Sequence, residues 1–77
     1  MKIRKTYGTS NITGKNIARI RNEKGIKQKE LLARLQVAGV DISPSSLSEL
    51  EGQTRIATDI EINAISKILN VKIEELF

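Results

Sequence analysis

Residues 25–51, GIKQKELLARLQVAGVDISPSSLSELE, decide the fold. Gly25 reads as a left-handed helix stop after Lys24. From Gln28 onward, Leu31, Leu35 and Ala38 recur at i, i+4 and i+7, and Leu32 widens the stripe. That spacing predicts a helix from Gln28 to about Ala38, closed by Gly39. Ser43-Pro44 is the strongest local signal in the chain. A serine at N-cap satisfies a free amide, and a proline at N1 presets φ for the first helical residue. The next helix therefore runs from about Pro44 to Glu51 and buries Leu47 and Leu50. It is too short to stand alone, so its neighbours must hold it.

Working outward, Thr13 or Asn11 can cap a preceding helix with Ile17 and Ile20 on its inner face. Downstream, Thr58-Asp59-Ile60-Glu61 reads as a capping box. It opens a helix that runs to Leu69, with Ile62, Ile65 and Leu69 on one face. Asn70 and Val71 break it, and Lys72 to Leu76 makes a short final helix. Residues 1–12 show no repeating apolar face and are expected to be a flexible basic arm, leaving 13–77 as the domain. The expected fold class is all-α, five short helices around an isoleucine and leucine core.

Composition narrows the functions. The 77 residues include no cysteine and no histidine, which removes disulfide frameworks, thiolate zinc sites and Ser-His or Cys-His nucleophile pairs. Neither a catalytic site, a metal nor a cofactor is expected. Tyr7 and Phe77 are the sole aromatic residues, too few for a platform that stacks single-stranded bases. Apolar runs are short, so no membrane span is expected, and a cytoplasmic location follows from the lack of a signal-peptide core after Met1. The net charge of +4 is unevenly spread. Residues 1–27 carry eight Lys/Arg against Glu23, whereas residues 28–77 carry five against eight acids. A basic N-terminal third suits a polyanion, although a basic tail can also serve solubility alone.

Two short helices joined by a turn in a basic all-α domain give the outline of a helix-turn-helix. The residues sharpen it. Ile20-Arg21-Asn22-Glu23-Lys24-Gly25-Ile26-Lys27-Gln28-Lys29-Glu30-Leu31 looks like L-R-x-x-x-G-x-(S/T)-Q-x-x-L, and Ser46-Leu47-Ser48-Glu49-Leu50-Glu51 looks like (S/T)-(I/L)-S-x-(I/L)-E. Ile65-Ser66-Lys67-Ile68-Leu69-Asn70-Val71, followed by Glu75-Leu76-Phe77, is similar to I-(A/S)-x-x-L-x-V…(E/D)-L-F. These are the motifs of the phage repressor/Cro-like (XRE) helix-turn-helix family, which the chain resembles from Asn16 to Phe77. The resemblance implies a lambda-repressor-like domain, with the helix-turn-helix formed by the second and third helices. It also implies a transcriptional regulator that binds double-stranded DNA.

From the resemblance, Arg21 and Glu51 would form a partly buried ion pair that ties the recognition helix to the scaffold. The plainer alternative is two solvated charges. Gln28, at the start of the second helix, would meet a phosphate, as would the loop Gln53-Thr54-Arg55. Lys15, Arg19 and Lys27 add charge for further phosphate contacts. The exposed side of the third helix, opposite Leu47 and Leu50, would be Pro44, Ser45, Ser48 and Glu49, with Ser46 at its edge. These are the expected base contacts. They include no Arg, Asn or Gln for a bidentate bond to guanine or adenine, and Glu49 could accept from a cytosine amino group. The arm residues Lys2, Arg4 and Lys5 could reach the minor groove.

Three departures from the family pattern carry expectations of their own. Leu32 stands where an alanine is usual, so helix packing there must differ. Gln36 to Ile42 is longer than the usual turn, implying either an extra helical turn or an extended loop. Gln53 stands where a glycine is usual and Gly52 precedes it, so the left-handed residue is expected to be displaced to Gly52. A homodimer on a two-fold symmetric site is expected, because one module spans few base pairs. The competing reading is a protein-interaction module of the same fold, antitoxin-like, with weak or no DNA binding.

Overall fold

The computed structural model describes residues 11–77. They form helices α1 (Gly14–Glu23), α2 (Gln28–Val37), α3 (Pro44–Glu51) and α4 (Asp59–Leu69), closed by a 3-10 turn at Ile73–Leu76. No strand occurs among the described residues. The chain is all-α, and the final element takes the tighter 3-10 geometry common in single-turn pieces.

Helix starts follow the sequence signals. Ser43 Oγ accepts from the Ser46 amide at 3.1 Å, with Pro44 in the first turn of α3. Thr58 and Glu61 form the reciprocal box at the start of α4, at 3.2 and 3.0 Å. At α1 the side-chain cap comes from Asn11, not Thr13: Asn11 Oδ1 accepts from the Gly14 amide at 2.6 Å. The Asn11 amide also donates to the carbonyls of Leu50 and Arg55, so one side chain starts α1 and holds the end of α3. Asn11, within the 1–12 span expected as arm, thus packs into the domain. Lys2, Arg4 and Lys5 lie outside the described residues.

All four helices end in the same six-to-one closure, and it explains the turn after α3. Ile26, Val40, Thr54 and Val71 donate their amides back to Arg21, Leu35, Glu49 and Ser66 at 2.9–3.0 Å. That closure requires one left-handed residue just before the donor. The position holds Gly25 and Gly39 in the first two helices, but Gln53 (φ 66°) and Asn70 (φ 58°) in the others. The expected displacement to Gly52 does not occur; Gly52 stays in the right-handed region at φ −78°. The hydrogen-bond count, rather than the side chain, selects the left-handed position. Gln53 accepts a strain of roughly 1 kcal/mol, and its Nε2 donates to the Asn11 carbonyl at 3.1 Å.

The longer segment after α2 does not extend the helix. Ala38 caps it, and Val40 and Ile42 turn inward, Ile42 to 4 % exposure. The core is aliphatic: Ile17, Leu31, Leu35, Leu47, Leu50, Ile65, Leu69 and Leu76 are all essentially inaccessible. Each of the four helices and the closing turn supplies at least one of them. Leu32 is half-buried against this core. Asn16 Nδ2 donates to the Leu76 carbonyl at 2.9 Å and fastens the closing turn onto α1.

The start of α1 meets the end of α3 at Gly14. A Cβ there would run into the Leu50 carbonyl oxygen and approach Asn11 Oδ1 to 2.9 Å. The obstacle is backbone, so relief requires α1 and α3 to separate. Gly14→Ala is expected to destabilise the domain by about 2–3 kcal/mol, seen by circular dichroism as a melting point roughly 8–20 °C lower. An unchanged melting point would show that the two helices can part at little cost.

Candidate nucleic-acid interface

The α2–turn–α3 unit is fixed by one carboxylate. Glu51 Oε2 accepts from Arg21 Nε at 2.9 Å, and Oε1 accepts from Arg21 Nη2 at 3.0 Å. Oε1 also accepts from Gln28 Nε2 at 3.2 Å. Arg21 Nη1 donates to the Ile26 carbonyl at 2.7 Å. The end of α1, the turn after it, the first residue of α2 and the last residue of α3 thus meet at a single point. The side chains of Arg21 and Glu51 are 10 % and 6 % exposed, so they are not two solvated charges. Planar guanidinium and carboxylate groups bonded in parallel leave little rotational freedom.

With α3 held this way, Leu47 and Leu50 face the core, while Pro44, Ser45, Ser48 and Glu49 face solvent. Ser46 is half-buried at the edge of that face. Among the described residues no ion pair engages Glu49. The start of α2 is open: Lys27 sits at N-cap, and its side chain caps no amide. First-turn amides left without a side-chain partner suit an anion. Between the two helix starts, Gln28, Lys29, Leu32, Pro44 and Leu47 line a cleft of about 120 Å³.

The expected phosphate-contacting residues fall into two groups. Lys15, Arg19, Lys27 and Thr54 are exposed, and Arg19 shares its charge with Glu23 at 3.2 Å. Gln28, Gln53 and Arg55 make side-chain bonds within the domain, as does Thr54, whose Oγ1 donates to the Glu49 carbonyl at 3.3 Å. Gln28 uses one donor on Glu51. Gln53 reaches back to Asn11. Arg55 donates from Nη1 and Nη2 to the two oxygens of Glu61 at 2.8 and 2.7 Å, spanning the loop to α4. Those bonds hold the Glu61 carboxyl below its ordinary range; burial opposes the effect, and the Thr58 amide assists it. Arg55 is correspondingly raised by the same bonds.

A helix-turn-helix with its polar α3 face outward, clamped from behind by an arginine–glutamate pair, is a geometry suited to binding DNA. The model of the Cro/C1-type helix-turn-helix DNA-binding domain matches residues 15–77. The chain belongs to that family. Neither a curated protein nor a solved structure matches it. As a Cro/C1-type domain it is a DNA-binding regulator, and the family is non-enzymatic. No helix among the described residues is long and apolar enough to cross a membrane.

The structure gives three residues places that the sequence reading did not indicate. Lys29 follows Gln28 in the first turn of α2 and lies on the cleft, a place that helical position alone could have indicated. Gly14 matters through a neighbour 36 positions away in sequence (Leu50), which no local pattern reports. Glu61 was read as a capping residue, and its second role as the partner of Arg55 depends on how the loop folds back.

Two measurements check this geometry. Arg21→Ala and Glu51→Gln should each cost about 3–5 kcal/mol in urea unfolding, with the double variant costing less than the sum. Additive, small losses would mean that the pair does not couple. Glu61 is lowered in the folded state, so its contribution is complete above the unfolded-state value of ~4.3 and is lost as pH falls through the folded value. The stability gap between the native chain and Glu61→Gln should therefore be widest near neutrality and narrow on acidification below pH ~4. A gap independent of pH would show that ionised Glu61 contributes nothing.

Proposed function

We propose that the chain is a sequence-specific transcriptional regulator, a repressor or an activator, that lays α3 in the major groove of double-stranded DNA. The observation that carries this reading is the three-way bonding of Glu51, which presents the polar side of α3 while burying Leu47 and Leu50. Pro44, Ser45, Ser46, Ser48 and Glu49 are the base contacts. Lys15, Arg19, Lys27 and Thr54 supply phosphate contacts, and Gln28 retains a second amide hydrogen for one. Gln53 and Arg55 act there mainly by shaping the loop that faces the backbone. Lys2, Arg4 and Lys5 extend the contact into the minor groove.

The reading includes a homodimer, because a single α3 covers few base pairs and two-fold sites place half-sites ~34 Å apart. Exposed Ile56 and Ile60, each at 69 %, offer apolar surface for such a contact. The cytoplasm is the expected location. One observation favours a second reading, a module that binds a protein partner. A groove of about 400 Å³ is lined by Glu30, Ala33, Arg34, Val37 and Ile68, and Val37 is 90 % exposed.

Selection from a random duplex pool, followed by titration of the enriched duplex at several salt concentrations, separates the two. The regulator reading expects a shared motif repeated at one helical turn. It also expects log–log salt dependence that loses a slope of about 1 with Lys27→Ala. Ser45→Ala and Glu49→Ala should change the preferred sequence more than the non-specific affinity. No enrichment and no salt-dependent binding would discard this reading in favour of the partner-binding one.

A further inference from the structure

The cleft between the starts of α2 and α3 has a composition unlike the rest of the α3 face. Gln28 and Lys29 form one side, Pro44 the other, and Leu32 with fully buried Leu47 the base. Its surface is largely apolar, whereas Ser45, Ser48 and Glu49 beside it are polar. Leu32 and Pro44 contribute to this character, each adding apolar surface to the lining. Lys29 is exposed and makes no ion pair among the described residues.

The position of the cleft determines what it would meet on DNA. In a helix-turn-helix the first residues of the recognition helix approach base edges, while the start of the preceding helix approaches the phosphate backbone. The cleft lies between those two helix starts, so in that mode of binding it would face the margin of the major groove. The apolar group that a base pair presents there is the C5-methyl of thymine. The exposed residues of α3 provide no Arg, Asn or Gln for bidentate recognition of guanine or adenine. On the DNA-binding reading, discrimination would then have to draw on weaker chemistry, such as apolar contact.

We propose that the cleft bounded by Leu32 and Pro44 receives a thymine methyl group, making thymine the base read at one position of each half-site. Lys29 at its rim neutralises a phosphate next to that nucleotide. The inference deepens the DNA-binding reading above and rests on it. Because 5-methylcytosine carries the same methyl at the same place on the ring, it shares the chemistry, and the two bases must be tested separately.

The test uses the full chain and the duplex enriched from the random pool. Each thymine is replaced singly by deoxyuridine, which removes the methyl and leaves the pairing intact, and affinity is measured by fluorescence anisotropy. One position per half-site should bind about fourfold more weakly with uracil, the effect of withdrawing one methyl from an apolar contact. At that position 5-methylcytosine should bind better than cytosine by a similar factor. Pro44→Ala and Leu32→Ala should bind the thymine duplex as weakly as the native chain binds the uracil duplex, and show no further loss with uracil. Circular dichroism establishes that each variant is folded. Pro44 is exposed, so its variant decides the matter even if Leu32→Ala unfolds.

Equal affinity for uracil at every position, or an enriched site without thymine, would overturn the proposal while leaving DNA binding intact. A uracil penalty that persists unchanged in Pro44→Ala would also overturn it, since the methyl would then be read elsewhere. Failure to enrich any duplex would remove the DNA-binding reading and this inference together.

Discussion

The Glu51 carboxylate is the constraint on which the rest of the structure depends. It ends α3, yet its partners lie on α1 and at the first residue of α2. An eight-residue helix has too few internal hydrogen bonds to persist alone. Leu47 and Leu50 hold it by burial, and burial is non-directional: it does not fix rotation about the helix axis. The bidentate bond from Arg21 supplies the missing direction. A buried pair of this kind need not raise net stability, since desolvation offsets much of the attraction. Its effect is geometric: it allows one orientation of α3 and so one choice of exposed face.

A second constraint acts at the opposite corner, where α1 begins and α3 ends. Gly14 lets the backbone of Leu50 approach, and Asn11 bonds the carbonyls of Leu50 and Arg55 while capping α1. Gln53, in the left-handed turn that follows, bonds back to Asn11. Arg55 continues the chain of contacts to Glu61, which is also the capping residue of α4. Polar side chains that sequence position would assign to solvent or to a phosphate thus build the loop itself. Among the described residues the exposed positive charge is concentrated in lysines, Lys15, Lys27 and Lys29 among them, and the outward face of α3 carries none of it. On the proposed reading, attraction to DNA and discrimination among sequences would come from different parts of the surface.

Much of the fold was legible because its signals are local. Helix spans follow from the spacing of Leu31, Leu35, Leu47, Leu50, Ile65 and Leu69, and α3 and α4 begin where Ser43-Pro44 and Thr58-x-x-Glu61 indicate. The outward face of α3 followed from the same periodicity. The left-handed residue after α3 is Gln53 and not the expected Gly52, because the closure geometry outweighs the local preference for glycine. The start of α1 was legible to within two residues, since Asn11 and Thr13 both carry capping side chains and Asn11 also reaches the end of α3.

The sequence by itself determined the class: an all-α domain with a helix-turn-helix, a polar α3 face and a basic N-terminal third. Periodicity, caps and charge are properties of neighbouring residues, and they act before any distant contact forms. Tertiary structure alone decided which polar groups remain available. Gln28, Gln53 and Arg55 are turned inward by partners 23, 42 and 6 positions away. It also decided that Leu32 and Pro44, 12 positions apart in sequence, share one cleft. Such pairings depend on how helices cross, and crossing is set by the whole packed core rather than by any segment of it.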